Sequence, residues 1–326
     1  MEPAEFCGIN KGKSRFRRTL RPRATGESPL HSRKTTNWLM LAALVVLWGS
    51  AFAFAKIAVE TIAPEWTMAG RLAAAALLLL PVAALAREHF PRNPRNWGWL
   101  AALALVGNIA PFFAISWGQQ HISSALAGIL IGFTPLATLL IARFFLPDER
   151  ITPLRLIGFV TGFAGLVIVI GPGALMDFNL GETLLAQLAV LTGAVFFACN
   201  NVLARLAPDM PLLAKSSGVM LAGAVMGSAV SAVMTPPAEL LEASTASLLG
   251  LAGLGVFATG MAAVVFFKLI DRTGPTFVSL TNYLVPVFAA VAGYALFSEE
   301  LRFTVIIGLA LILAGIALSE WKRDAD

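Results

Sequence analysis

The chain has 326 residues, 57% of them hydrophobic and only 13% charged, with a net charge of +5. Soluble domains carry about 25% charged residues, so this composition excludes an ordinary water-solvated domain and implies a chain solvated largely by lipid. The positive charge is not a nucleic-acid signal, because nine of the 24 Lys and Arg residues lie in the first 34 positions and most of the others flank apolar runs, as topology determinants do.

Residues 1–36 are basic and lack the apolar centre of a secretory signal. They read as a disordered cytosolic tail whose charge holds the N-terminus inside. Cys7 lies in this tail and Cys199 in an apolar run, so neither a disulfide nor a metal site is expected. A helical span needs about 20 apolar residues, and ten such runs follow at 37–57, 66–86, 97–118, 122–145, 153–171, 183–205, 212–234, 247–269, 274–297 and 302–320. Prolines 64, 91, 94, 172, 208, 236 and 237 punctuate the connections, where they end one helix and open the next. With the N-terminus inside, 21 basic residues fall on the inner side and only Lys56, Arg71 and Arg302 do not. A missed or false span would invert every later loop and destroy that sorting. The sequence therefore predicts an all-α integral membrane protein with both ends cytoplasmic, residues 321–326 forming a short C-terminal tail.

The ten spans repeat. At an offset of 144, LWGSAF (47–52) falls on LTGAVF (191–196), Pro64 on Pro208, Glu65 on Asp209 and Arg71 on Lys215. At an offset of 151, Pro135 falls on Pro286 and Glu149 on Glu300; at 150, Gly158 and Gly165 fall on Gly308 and Gly315. Residues 37–171 and 183–320 thus form two five-helix repeats, and an odd number of spans per repeat makes the second copy enter the membrane from the opposite side. The charged hinge LPDERITPLRLIG (146–158) and its echo LFSEELRFTVIIG (296–308) join the fourth and fifth spans of each half. Thr152 and Pro153 read as the cap and first residue of the fifth helix. Glu149 and Glu300 have two readings: acids favoured by a helix N-terminus, or a gate.

These features resemble the EamA-type family of the drug/metabolite transporter superfamily: WGSAF (48–52), Arg71 early in the second span, the Pro135 span followed by DERIT (148–152), and then Gly158 and Gly165. The resemblance covers about 37–320. The second half departs from the first at Thr192, which stands where the first half has Trp48. The resemblance implies ten helices around a central cavity open to one side at a time, lined by spans one, three, four, six, eight and nine. It implies transport of small metabolites such as amino acids, frequently as export, from a bacterial inner membrane.

Polar groups within lipid are costly and face a cavity or another helix. The candidates for a substrate cavity are Trp48, Ser50, Asn108, Thr134, Asn200, Thr259, Asn282 and Tyr283. For each Asn the alternative is an interhelical hydrogen bond; Ser and Thr can bond their own helix. Pro111, Pro135 and Pro286 are candidate helix breaks or hinges, since proline frees a carbonyl one turn earlier. Arg71 and Lys215 are read either as snorkelling residues or as a mirrored pair of contacts for an anion or a headgroup. All 19 Asp and Glu lie in tails, loops or span ends. The small multidrug-resistance branch of the same superfamily uses a buried Glu for proton coupling, so facilitated diffusion or exchange is expected here. The run GFVTGFAG (158–165) offers a small-residue face for close packing, within a monomer or a weak homodimer.

No H-E-x-x-H, G-x-S-x-G or buried acid pair is present, so no enzyme, cofactor or metal is expected. The inverted repeat argues against a receptor or scaffold, because alternating access is what that symmetry supplies. The expected partners are a small-molecule substrate and membrane lipid. The competing reading is a flippase for a lipid-linked substrate, with Arg71 and Lys215 holding a phosphate.

Overall fold

A computed structural model describes residues 30–119, 121–122, 124–146, 149, 151–170, 183–288 and 303–320. The chain divides into two units, Met1–Thr36 and Asn37–Asp326. Of the first, residues 30–36 are described, as the opening turns of helix α1 (Leu30–Ala58). The rest of the expected basic tail, the C-terminal tail, residues 171–182 and Glu300 lie outside the described residues.

Local sequence explains where the helices begin. Pro64 opens α2 (Pro64–Leu85) with Glu65 in the first turn, where a missing N–H costs nothing and the dipole favours an acid. Asn93 caps α3 (Pro94–Ala104), its side chain accepting from the Arg95 N–H at 2.9 Å. A π-helical turn at Leu105–Ile109 carries α3 into α4 (Ala110–Gln119). The fourth expected span is broken into α5 (Ser124–Ile131) and α6 (Thr134–Phe145). The break at Gly132–Phe133 lies just before Pro135, which cannot donate into the preceding turn. Thr152 caps α7 (Pro153–Ile170), accepting from the Arg155 N–H at 3.2 Å, as the sequence predicts.

Helices α8 (Leu184–Leu206) and α9 (Leu212–Met234) follow, then a 3-10 turn at Pro237–Glu242 and α10 (Thr245–Gly255). A second π turn, Val256–Met261, joins α10 to α11 (Ala262–Thr273). Gly274, at φ 87°, turns the chain into α12 (Pro275–Ser279), a conformation that glycine adopts without a Cβ penalty. Residues 281–288 form α13 and Phe303–Glu320 form α14.

Every regular element among the described residues is helical. Seven helical stretches are long and apolar enough to cross a membrane, and Pro153–Val169 and Ile306–Ser319 are shorter apolar helices. The expected ninth span, 274–297, is described as far as residue 288. Large apolar side chains stand outward, among them Leu77 (74% exposed), Leu85 (85%) and Phe144 (85%). Water would penalise that surface and lipid does not. The chain is a multi-pass membrane protein.

Tight packing comes in matched pairs. Helix α7 runs antiparallel against α14 with reciprocal glycine contacts. A methyl on Gly158 would come 2.5 Å from the Gly315 carbonyl oxygen, and one on Gly315 would come 2.5 Å from that of Gly158. Gly165 and Gly308 repeat the relation, a methyl on either coming 2.7 Å from the other's carbonyl oxygen. Only glycine lets the two backbones approach so closely, and in lipid such van der Waals packing drives helix association. The small-residue face of α7 is thus occupied within the chain.

Helix α2 lies antiparallel on α9. The Ser231 hydroxyl donates to the Glu65 carbonyl at 2.8 Å, the Trp66 indole donates to the Thr235 carbonyl at 3.1 Å, and Gly223 faces Leu72. Helix α1 runs antiparallel to α10, where Ser247 donates to the Ile57 carbonyl at 2.9 Å and Gly253 receives the Phe54 ring. Helices α3 and α4 run antiparallel to α8, with Gly118 against Val190, Gly193 against Ile115 and Gly107 against Asn200.

Candidate functional site

The two π turns stand 151 residues apart, since Leu105 plus 151 is Val256. That is the offset relating Pro135 to Pro286. At the same offset Asn108 corresponds to Thr259. A π turn leaves a carbonyl without its usual partner. Thr259 supplies one, its hydroxyl donating to the Leu254 carbonyl at 2.9 Å.

Arg71 reaches inward to the same hydroxyl: its Nε donates to Thr259 Oγ1 at 2.9 Å. Its guanidinium carbon lies 4.7 Å from the centre of the Phe112 ring, a favourable cation–π placement. The side chain is half-buried, and no acid pairs with it among the described residues. Its two terminal nitrogens make no hydrogen bond among those residues. Nε is thus fixed, while Nη1 and Nη2 have no hydrogen-bond partner among the described residues.

Phe112 sits one turn beyond Asn108 and meets Phe197 of α8 edge-to-face, with centroids 6.0 Å apart. Three residues further along α8, the Asn200 amide packs on Gly107; a Cβ there would lie 2.5 Å from Asn200 Oδ1. Asn108 and Asn200 are both half-buried, and neither side chain makes a hydrogen bond among the described residues. Asn201, next in sequence, behaves as a packing group, with its Nδ2 donating to Thr138 Oγ1 at 3.3 Å. The structure therefore gathers Arg71, Thr259, Asn108 and Asn200 around the π turns and brings Phe112 and Phe197 to them. Sequence reasoning missed both phenylalanines, since an aromatic residue in an apolar helix carries no signal until its neighbour is known.

The mirrored cation pair does not hold. The counterpart of the Arg71–Thr259 contact would be Lys215 with Asn108. Lys215 instead donates to the Ala204 carbonyl at 3.2 Å, lies 3.9 Å from Asp271 Oδ1 and sits over the Phe267 ring at 5.0 Å. Asp271 is more than half exposed at the end of α11, and its charge draws the ammonium to that end of the helices. Neither cation snorkels: Lys215 is buried against α8 and α11, and Arg71 turns inward to the π turn.

The other candidates are placed as follows. Trp48 is half-buried against Phe266, with ring centres 5.9 Å apart. Ser50 donates to the Leu47 carbonyl at 2.8 Å, and Asn282 to that of Ser279 at 3.0 Å. Thr134 is enclosed and donates to the Ile131 carbonyl at 2.6 Å, closing the break before Pro135. Pro111 is buried in α4 after the first π turn, and Pro286 lies half-buried in α13. Tyr283 is 1% exposed, with its hydroxyl donating to the Phe159 carbonyl at 3.0 Å, so in this conformation it is part of the core. Glu149 accepts from Arg155 Nη2 at 2.9 Å.

Comparison with known proteins places the chain in a family. A solved crystal structure shares the fold, with a TM-score of 0.75 over 90% of this chain and 99% of that one at 20% identity. An uncharacterized transporter of Archaeoglobus fulgidus is 25% identical over 88% of this chain and 99% of its own length. A probable terminal-alkyne amino-acid exporter of Streptantibioticus cattleyicolor is 25% identical over 85% of this chain and 91% of its own. The uncharacterized inner membrane transporter YedA of Escherichia coli is 26% identical over 85% of this chain and 88% of its own. The family described as EamA-like transporters matches twice, at residues 36–171 and again at 184–321. The chain belongs to the EamA-like transporter family.

Proposed function

We propose that this protein carries a small metabolite, an amino acid or a related compound, across a bacterial inner membrane by alternating access, as an exporter or facilitator. In this reading ten spans form two inverted five-helix repeats, both termini are cytoplasmic, and the repeats enclose a central cavity at the π turns. The observation that carries it is the antiparallel packing of counterpart helices, α2 on α9 and α7 on α14. Two helices at the same place in successive repeats run in opposite senses when the repeats are inverted. The double family match and the two π turns at one offset support the same reading. If each repeat takes up the other's conformation, a cavity open to one face becomes open to the other.

The carrier runs on its substrate's own gradient. The described acids lie at helix ends or in connections: Glu65 opens α2, Glu88 accepts from the Ala214 N–H at 2.8 Å and so caps α9, Asp271 lies in the last turns of α11, and Glu60, Glu149, Asp209, Glu242 and Glu320 lie in connections or at helix termini. None of them bonds Arg71 or the asparagines at the π turns. The test is counterflow in proteoliposomes. Vesicles loaded with unlabelled amino acid should draw in the labelled compound, whereas a pH difference alone should concentrate none. Accumulation driven by the pH difference alone would contradict the facilitator reading.

A further inference from the structure

We propose that the unbonded Nη1/Nη2 edge of Arg71 is the anchor for a single carboxylate on the transported molecule. This rests on the transporter reading and adds the chemistry of the ligand. A guanidinium away from water is costly unless it is paired. Thr259 accepts from one N–H and the Phe112 ring covers the guanidinium, which fixes the orientation of the group without neutralising it. Elsewhere the chain treats its deep cation differently, since Lys215 has Asp271 3.9 Å away and a carbonyl to donate to. What Arg71 lacks is an oxyanion, and the Nη1/Nη2 fork matches two oxygens of one planar group.

Stoichiometry narrows the class. One positive charge stands at the site, so a singly charged oxyanion neutralises it. A phosphate monoester, at about −1.5 to −2, would leave negative charge in a low-dielectric site. A carboxylate and the phosphodiester of a lipid headgroup both carry one charge. The surroundings favour the carboxylate of a small solute. The Asn108 and Asn200 amides, with no hydrogen bond of their own among the described residues, offer donors and acceptors to a second polar group close to it. Phe112 and Phe197 offer an apolar wall of limited size. The ligand class is a small monocarboxylate with a neighbouring amino or hydroxyl group and an apolar remainder.

The test is thermal unfolding of the purified full-length chain in a neutral maltoside detergent, because a ligand that binds the folded state raises apparent stability. The probes are L-norvaline and 2-hydroxyvalerate, their uncharged counterparts L-norvalinamide and valeramide, and dioleoyl phosphatidylglycerol added to the micelles. At least one acid should raise the unfolding temperature, while the amides and the lipid do not. Arg71→Gln should abolish that shift, and Arg71→Lys should weaken the apparent affinity roughly tenfold or more, because an ammonium cannot form the fork. Asn108→Ala and Asn200→Ala should weaken it while leaving the ligand-free unfolding temperature unchanged.

Equal protection by acids and amides, protection by neither acid, or an undiminished shift in Arg71→Gln would overturn the proposal. Protection by phosphatidylglycerol alone would overturn it too, by assigning the edge to a headgroup. If Arg71→Gln does not fold, Arg71→Lys decides: unchanged affinity for the acid defeats the anchor. Counterflow of any solute by Arg71→Gln at the wild-type rate would end the carboxylate anchor and leave the transporter reading standing.

Discussion

At the scale of single residues, what separates a binding group from a structural one is whether its hydrogen bonds are already made. Asn201 bonds Thr138, whereas Asn108 and Asn200 bond nothing among the described residues. Asn201→Ala should therefore cost about 1 kcal/mol of stability in detergent, while Asn108→Ala should cost less than about 0.5 kcal/mol; thermal unfolding without ligand checks both. Thr259→Val removes the acceptor for Arg71 and the donor to the Leu254 carbonyl. It should destabilise by about 1–2 kcal/mol and lower counterflow. Lys215→Met, whose partners are the Ala204 carbonyl, Asp271 and Phe267, should leave counterflow within about twofold of wild type, because it removes a cation already paired and leaves Asp271 exposed to water.

The sequence could nominate these residues, because polar side chains are scarce in a chain this apolar, but it could not sort them. Asn108 and Asn201 look alike until their neighbours are known. The symmetry of Arg71 and Lys215 at one offset suggested a like role that Asp271 undoes.

At the scale of helices, prolines and glycines made the boundaries legible. Pro64, Pro94 and Pro153 begin helices as their chemistry dictates, and the repeat of Gly158 and Gly165 as Gly308 and Gly315 marked a close-packed seam. Pro135 marked a candidate break, and the helix is interrupted just before it at Gly132–Phe133; what the sequence did not reveal was the π turns. A π turn follows from packing and from carbonyls that find partners elsewhere, such as Leu254 with Thr259, and no local propensity encodes it. The seam makes its own prediction. Gly158→Ala places a methyl 2.5 Å from the Gly315 carbonyl oxygen, so the helices must separate, at a cost of about 1–3 kcal/mol. Gly98→Ala meets no atom within 4 Å and should be neutral or stabilising by up to about 1 kcal/mol. Unfolding temperatures of the two variants, measured side by side, check the contrast.

At the scale of the whole molecule, the charge sorting of Lys and Arg and the offsets near 144 and 151 carried most of what the sequence said about architecture. Both are what a chain inserted twice in opposite senses would carry, even with weak identity between the halves. The helix pairs α2–α9 and α7–α14 express the same relation as antiparallel contacts. On the proposed reading, a carrier built this way presents one central site to each face in turn. The most direct measurement is thiol accessibility at that site. In a Cys7→Ser, Cys199→Ser background, Asn108→Cys is exposed to a membrane-impermeant thiol reagent from the outside in intact cells and from the inside in inverted vesicles. The account predicts that the thiol reacts from both faces and that a transported monocarboxylate changes both rates. Reaction from one face only, or from neither, would contradict it.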